Sequence, residues 1–184
     1  MRLQPADHGP VERLHRFVLN LTIPRQILDE MIAEARALAP HECCGYLAGR
    51  DGKVTHHYKI RNIIATEGAE LTFEGKKLDH LQSLSPEQRA EIAFLMDAQD
   101  MSLAIKDIRS KQIELQVIYH SHPRDPARPS VTDIEKVAEF ESVRKVLNLP
   151  EPLHLIISLQ AGTPVANAFR IVGENVTQVP FQTS

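Results

Sequence analysis

Two histidines one residue apart, His120 and His122, end an apolar, β-prone run, Leu115-Gln-Val-Ile-Tyr119. Such a run reads as a buried strand. Side chains alternate along a strand, so both imidazoles point to one face, roughly 6.5–7 Å apart along the backbone. At that spacing two ring nitrogens can converge on one metal ion, each at about 2.0–2.1 Å. Pro123 cannot donate to a sheet ladder and closes the strand. A loop stiffened by Pro123, Pro126 and Pro129 follows, and Ser130-Val-Thr-Asp133 opens a helical pattern. A carboxylate at Asp133, returned by that loop, supplies a third ligand. Three protein ligands leave a fourth position for water, the arrangement of a catalytic zinc site. Each part also has a plain structural reading. A His-x-His pair can be packed polar surface, and Ser-x-x-Asp before a helix is a capping box.

The conjunction is more telling than its parts. His120-Ser-His122, seven residues, then Ser130-x-x-Asp133 resembles the motif of the JAMM (MPN-plus) metalloprotease family. That motif includes an upstream glutamate. Pro40-His-Glu42-Cys-Cys-Gly-Tyr-Leu-Ala-Gly49 resembles its glutamate segment. The resemblance runs from about Leu21 to Val179 and meets all five defined positions. It implies a zinc metallopeptidase, with His120, His122 and Asp133 as metal ligands and Glu42 as general base. It also implies Ser130 as a donor to the oxyanion. The fold it implies is α/β, a mixed β-sheet flanked by helices that resembles cytidine deaminase. The deaminases' own signature, His-x-Glu with Pro-Cys-x-x-Cys, is absent, which disfavours deamination. The substrate it implies is the C-terminal tail of a ubiquitin-like, sulfur-carrier-type protein. An alternative of a different class is a non-catalytic MPN-type interaction module, which usually lacks part of the motif.

Other candidates weigh less. Cys43 and Cys44 adjoin Glu42, but small buried hydrophobes are the expected role of such thiols. His154 lies in an apolar run and reads as a core histidine. Ser121 points away from the metal face and reads as structural. Arg124 and Arg128 flank the loop, as solvated side chains or as partners for an acidic tail.

The elements that must position these residues follow from periodicity. Pro24 opens a helix whose apolar positions run from Ile27 to Leu38, and Pro40 stops it. Cys43–Ala48 and Val54–Ile60 read as strands joined by an Asp51-Gly52 hairpin. Residues 61–84 are the least readable, and could form a lid. Ser85-Pro-Glu-Gln88 starts a helix expected to run to about Lys111. After the Ser130 helix, Leu153–Leu159, Val165–Val172 and Val176–Phe181 read as three closing strands. A short strand is expected over Arg16–Leu21, behind a flexible leader at 1–15. The rest, 16–184, suits a single domain.

Composition excludes other classes. The 184 residues carry a net charge of −3, with 42% hydrophobic and 24% charged residues. No basic stripe invites nucleic acid. No apolar run approaches the ~20 residues of a membrane span, and the start lacks a signal-peptide core. Two adjacent cysteines are badly placed for a disulfide, so a cytoplasmic location is expected.

Overall fold

The computed structural model describes residues 20–66, 72–73, 76–77, 81, 83–147 and 149–184. The expected leader, residues 16–19 of the first expected strand, and much of the possible lid lie outside those residues. Four helices are used below: α1 (Arg25–Leu38), α2 (Pro86–Ile92), α3 (Ala98–Ser110) and α4 (Val131–Leu147). The strands are β1 (Leu21–Ile23), β2 (Cys44–Arg50), β3 (Lys53–Ile60), β4 (Thr72–Phe73), β5 (Lys76–Lys77), β6 (Glu114–His122), β7 (Leu153–Ser158), β8 (Val165–Val172), β9 (Asn175–Val179) and β10 (Phe181–Thr183).

Eight strands form one mixed sheet in the order β10-β1-β3-β2-β6-β7-β8-β9, and β4 pairs only with β5. The run expected to be one strand over Val176–Phe181 is two strands, and they lie at opposite ends of this order. Pro180 separates them, since it has no N–H to extend a ladder. Eight strands laid flat would hold the outer two about 34 Å apart at ~4.8 Å per step. Val179 and Phe181 can be no more than ~7 Å apart. The sheet must therefore curl until its ends nearly meet.

The curl encloses α1. Leu28, Met31 and Ala35 form the buried stripe of that helix. They pack with Leu21, Ile23, Leu47, Val117, Tyr119, Leu155 and Val179 on the concave face. Each fully buried Leu or Met contributes roughly 1.5–3 kcal/mol, which fixes α1 in the trough. The other face holds Tyr46, Ala48, Ile60 and Ile118 against Ala104 and Ile108 of α3 and against Phe140 of α4. A register shift opposite Leu47 and Ala48 sets a bulge at Gln116 in β6. The bulge resets the alternation. Ile118, and with it His120 and His122, thus falls on the α3–α4 face. Gly45 lets Tyr119 lie flat across β2. A Cβ there would be 2.3 Å from the Tyr58 carbonyl oxygen and 2.6 Å from the Tyr119 ring.

The single helix expected from Ser85 to about Lys111 is two helices. The capping box at Ser85 is present, with Gln88 N donating to Ser85 Oγ at 3.2 Å. The chain then leaves helical geometry at Ala93, and α3 restarts from Asp97, whose side chain accepts from Asp100 N at 2.9 Å. Between the helices, Ala93–Asp97 pairs with the chain leaving β3. Ile63 N donates to Leu95 O at 2.8 Å and Asp97 N to Arg61 O at 3.0 Å. Tertiary pairing overrides the helical propensity of Ala-Phe-Leu-Met.

Candidate metal centre

The His pair stands on a central strand of the sheet. β6 lies between β2 and β7, hydrogen-bonded on both sides. His120 and His122 are 3% and 5% exposed. Their Nε2 atoms are 3.0 Å apart. The other nitrogen of His122, Nδ1, is 3.0 Å from the carbonyl oxygen of Pro126. Donating there leaves Nε2 with its lone pair free for a cation. The proline loop is itself pinned to the sheet. Ser158 Oγ donates to Asp125 O at 2.6 Å and Asn167 Nδ2 to Ala127 O at 2.9 Å.

That loop delivers α4 with its N-terminus against the histidines. Ser130 and Asp133 form a reciprocal cap. Asp133 N donates to Ser130 Oγ at 3.1 Å, and Ser130 N donates to Asp133 Oδ2 at 2.8 Å. The Ser130 hydroxyl also donates to Asp133 Oδ2, at 2.7 Å. The capping expectation and the ligand expectation thus fall on one pair of side chains. Asp133 Oδ1 lies 3.3 Å from His120 Nε2, and Oδ2 lies 3.4 Å from His122 Nε2.

These distances test whether a metal fits. Bonds of about 2.0–2.1 Å at the tetrahedral angle place ligand atoms about 3.3–3.4 Å apart. The two Nε2 atoms stand 3.0 Å apart, slightly closer than that, and each lies 3.3–3.4 Å from a different oxygen of Asp133. The set of two imidazoles and one carboxylate is a zinc-type donor set, and the three residues are a candidate cation cluster of the described chain. No fourth protein ligand joins them among the described residues, unlike a structural zinc site. Burial depresses the basicity of His120. Burial also opposes the charge on Asp133, but His120, His122 and Ser130 outweigh it and hold the carboxyl well below the usual range.

Glu42 completes the site. Cys44 pairs with His120 in the β2–β6 register, which brings Glu42 opposite His122 on the same face. It is 3% exposed, and its Oε2 is buried with no hydrogen-bond partner among the described residues. Burial, relieved in part by His122 and reinforced by the Asp133 charge, pushes its carboxyl up to about 8. In the metal-free protein the fold therefore keeps a proton that the unfolded chain releases above its ordinary value of 4.5. Stability falls as pH rises between those two values. Glu42→Gln cannot ionise, so it removes that loss. Melting the metal-free proteins at about pH 5 and about pH 8.5 should show the variant gaining on the native protein at the higher pH by a few kcal/mol. A difference independent of pH would contradict the buried-acid assignment.

The remaining expectations are placed as follows. Ser121 Oγ accepts from Cys43 N at 2.8 Å, a structural tie between β6 and the start of β2. Cys43 and Cys44 are buried free thiols; burial pushes Cys43 up to about 12, which removes the nucleophile reading. His154 is buried in β7 and pushed down to about 4 by burial, with His120 adding to the shift. Arg124 is paired with Glu91 at 2.5 Å. His57 lies on the α1 side, 2.8 Å from the Tyr119 hydroxyl. His8, His15 and His80 fall outside the described residues. Two residues were not singled out in the sequence. Phe94 lies against His120 with ring centroids 4.8 Å apart and the planes tilted by 30°. Lys136 donates to the Phe94 carbonyl at 2.8 Å and lies 3.9 Å from its ring centroid. Lys136 follows Asp133 by three residues, and that spacing on a helix face was its only signal.

Ser130→Ala should cost about 1 kcal/mol of stability by removing the cap. It should also weaken zinc binding ~10–100-fold, because it frees a ligand carboxylate. Melting temperature and competition with a chelator measure the two effects. Unchanged zinc affinity would leave Ser130 a cap only.

Comparison with known proteins identifies the family. The model for prokaryotic homologs of the JAB domain matches residues 24–172. The chain belongs to this family. Its fold is the JAB fold, a mixed sheet flanked by helices, as the JAMM resemblance implied. Over 118 residues the chain is 30% identical to a protein of Thermus thermophilus named "Probable TtuB-protein conjugate cleaving protease", covering 64% of each chain. It spans somewhat less than two thirds of that relative. Over 162 residues it is 27% identical to the "CysO-cysteine peptidase" of Mycobacterium tuberculosis, covering 87% of this chain and 88% of that one. A solution structure of protein DSY2949 from Desulfitobacterium hafniense is 28% identical with a TM-score of 0.61, over 89% of this chain and 92% of that one.

Proposed function

We propose that this JAB-domain protein is a zinc-dependent peptidase or isopeptidase. Its substrate is the C-terminal tail of a ubiquitin-like, sulfur-carrier-type protein. One observation carries the chemistry: two imidazole nitrogens 3.0 Å apart, each 3.3–3.4 Å from an oxygen of Asp133, faced by a buried Glu42 oxygen with no hydrogen-bond partner among the described residues. The names of the Thermus and mycobacterial relatives support the substrate class. The alternative, a non-catalytic interaction module, gives no reason to bury a Glu42 oxygen that lacks a hydrogen-bond partner among the described residues, since that burial costs stability.

His120, His122 and Asp133 would hold the zinc, which when bound lowers the pKa of water towards ~7 and polarises the scissile carbonyl. Glu42 takes the proton of the attacking water and passes it to the leaving nitrogen as the C–N bond breaks. The products are a carboxylate on the carrier tail and a free amine. Burial raises the Glu42 carboxyl in the metal-free protein, and a bound cation would draw it back towards the carboxylate form that a base needs. Ser130 first orients Asp133. Its oxyanion role uses the same hydroxyl proton that Asp133 Oδ2 now accepts, so the two are exclusive at any instant. A cavity of about 220 Å³ borders His120 and Asp133 and is lined mostly by apolar side chains.

Glycine in the substrate is favoured physically. It lets the backbone approach the centre with no Cβ in the way, and an extended tail can be held by added-strand hydrogen bonds. A tail series on such a carrier tests this: Gly-Gly against Ala-Ala, each followed by a short C-terminal extension. Gly-Gly should be cut at least ~10-fold faster, a difference of about 1.4 kcal/mol in the barrier. Equal cutting of both, or of an unrelated unfolded peptide, would point to a broad peptidase.

A further inference from the structure

Glu42 has to be held without being bound. A general base must keep its carboxylate open to the water's proton, and its Oε2 has no partner among the described residues. Its aim therefore depends on its backbone. The N–H of Glu42 donates to Ala90 O at 2.7 Å, at the end of α2. Its carbonyl accepts from Asn62 Nδ2 at 3.0 Å. Asn62 Nδ2 also donates to Ala93 O at 3.2 Å. Its Oδ1 accepts from Ile64 N at 3.1 Å and from Leu95 N at 3.0 Å. Two donors and two acceptor sites are all that an asparagine side chain has, and all are used. One half-buried side chain thus joins the lead-in to β2, the chain leaving β3, and the Ala93–Asp97 strap. The strap carries Phe94 against the ring of His120, and Lys136 fastens it to the helix of Asp133.

We propose that Asn62 is a positioning residue for hydrolysis: its amide locks the backbone of Glu42 to the strap that backs His120, and so sets the base against the metal centre. The proposal rests on the function above in taking Glu42 as the base. A misplacement of about 1 Å in such a group can cost 10²-fold in rate, whereas substrate contacts need not change.

The test uses the zinc-loaded full chain. Asn62→Ala and Asn62→Asp are each made alone and together with Glu42→Gln. Asn62→Asp keeps the shape and the acceptor and loses both donors. The expected result is a kcat lower by ~10–100-fold, with KM within about twofold and zinc still about one per chain. In the Glu42→Gln background the same changes should cost nothing further, since the cycle isolates what acts through Glu42. Native kcat, loss of zinc, or an equal fractional loss in both backgrounds would overturn the proposal. A second readout needs no variant and no turnover. The side-chain amide protons of Asn62 in the native protein should exchange with solvent far more slowly than those of an exposed asparagine. Exchange at the exposed rate would overturn the proposal whether or not the variants fold. An inactive native protein with a slowly exchanging Asn62 amide would count against the proposed function and leave the clamp standing.

Discussion

Glu42→Gln should leave the protein folded and zinc-loaded and lower hydrolysis by ~10²–10⁴-fold. Three features lead to that result. The change keeps the shape of a side chain that is 3% exposed, so packing is retained. The Oε2 that it replaces has no hydrogen-bond partner to lose among the described residues. The metal donors come from β6 and α4, so the variant keeps the ligand set. What disappears is the carboxylate opposite His122, the group proposed to take a proton from water and return it to the leaving amine. Single-turnover hydrolysis and metal content, measured on one preparation, check both halves. Native turnover in a zinc-loaded Glu42→Gln protein would assign the base elsewhere.

The second large effect is on the metal. His120→Ala or Asp133→Asn should take zinc from about one per chain to a small fraction of that, because each removes one of three donors. Asp133→Asn is the more informative, since an amide oxygen can still accept from Ser130 N and preserve the cap. A loss of zinc in that variant is then a loss of charge at the ligand and not of the helix. His120→Ala also removes the ring against which Phe94 lies. Metal analysis after gel filtration measures both, and full occupancy in both would refute the ligand set.

Much of this site was legible in the chain. His120, His122, Ser130 and Asp133 are local in sequence, on a strand, a stiff loop and a helix start, each of which has its own pattern. Glu42 is distant, and the residues around it gave no sign of a metal. Only the family resemblance joined it to the centre, and the β2–β6 register supplies the physical reason. Alternation along Leu115–His122 gave the correct face for the histidines only because the bulge falls at Gln116, before them. The strap at Ala93–Asp97 was illegible for another reason. Its residues are good helix formers, and their pairing partner, Arg61–Ile63, lies some thirty positions away. Asn62 spends three of its four side-chain hydrogen bonds on such distant backbone groups and only one on a near neighbour, Ile64 N, so the local sequence does not show what it joins. The expected strand over Val176–Phe181 was read straight across Pro180, and nothing local says that the chain beyond it belongs to the opposite end of the sheet.

The central claim is a zinc-dependent cut directly after Gly-Gly in a carrier tail. The intact mass of such an extended carrier, followed during incubation with the protein, tests it most directly. The zinc-loaded protein should release a carrier that ends in Gly-Gly, as one product. The same protein stripped by a chelator should release none, and added zinc should restore the product. Cleavage that survives complete removal of the metal, or a cut at another bond, would contradict the account.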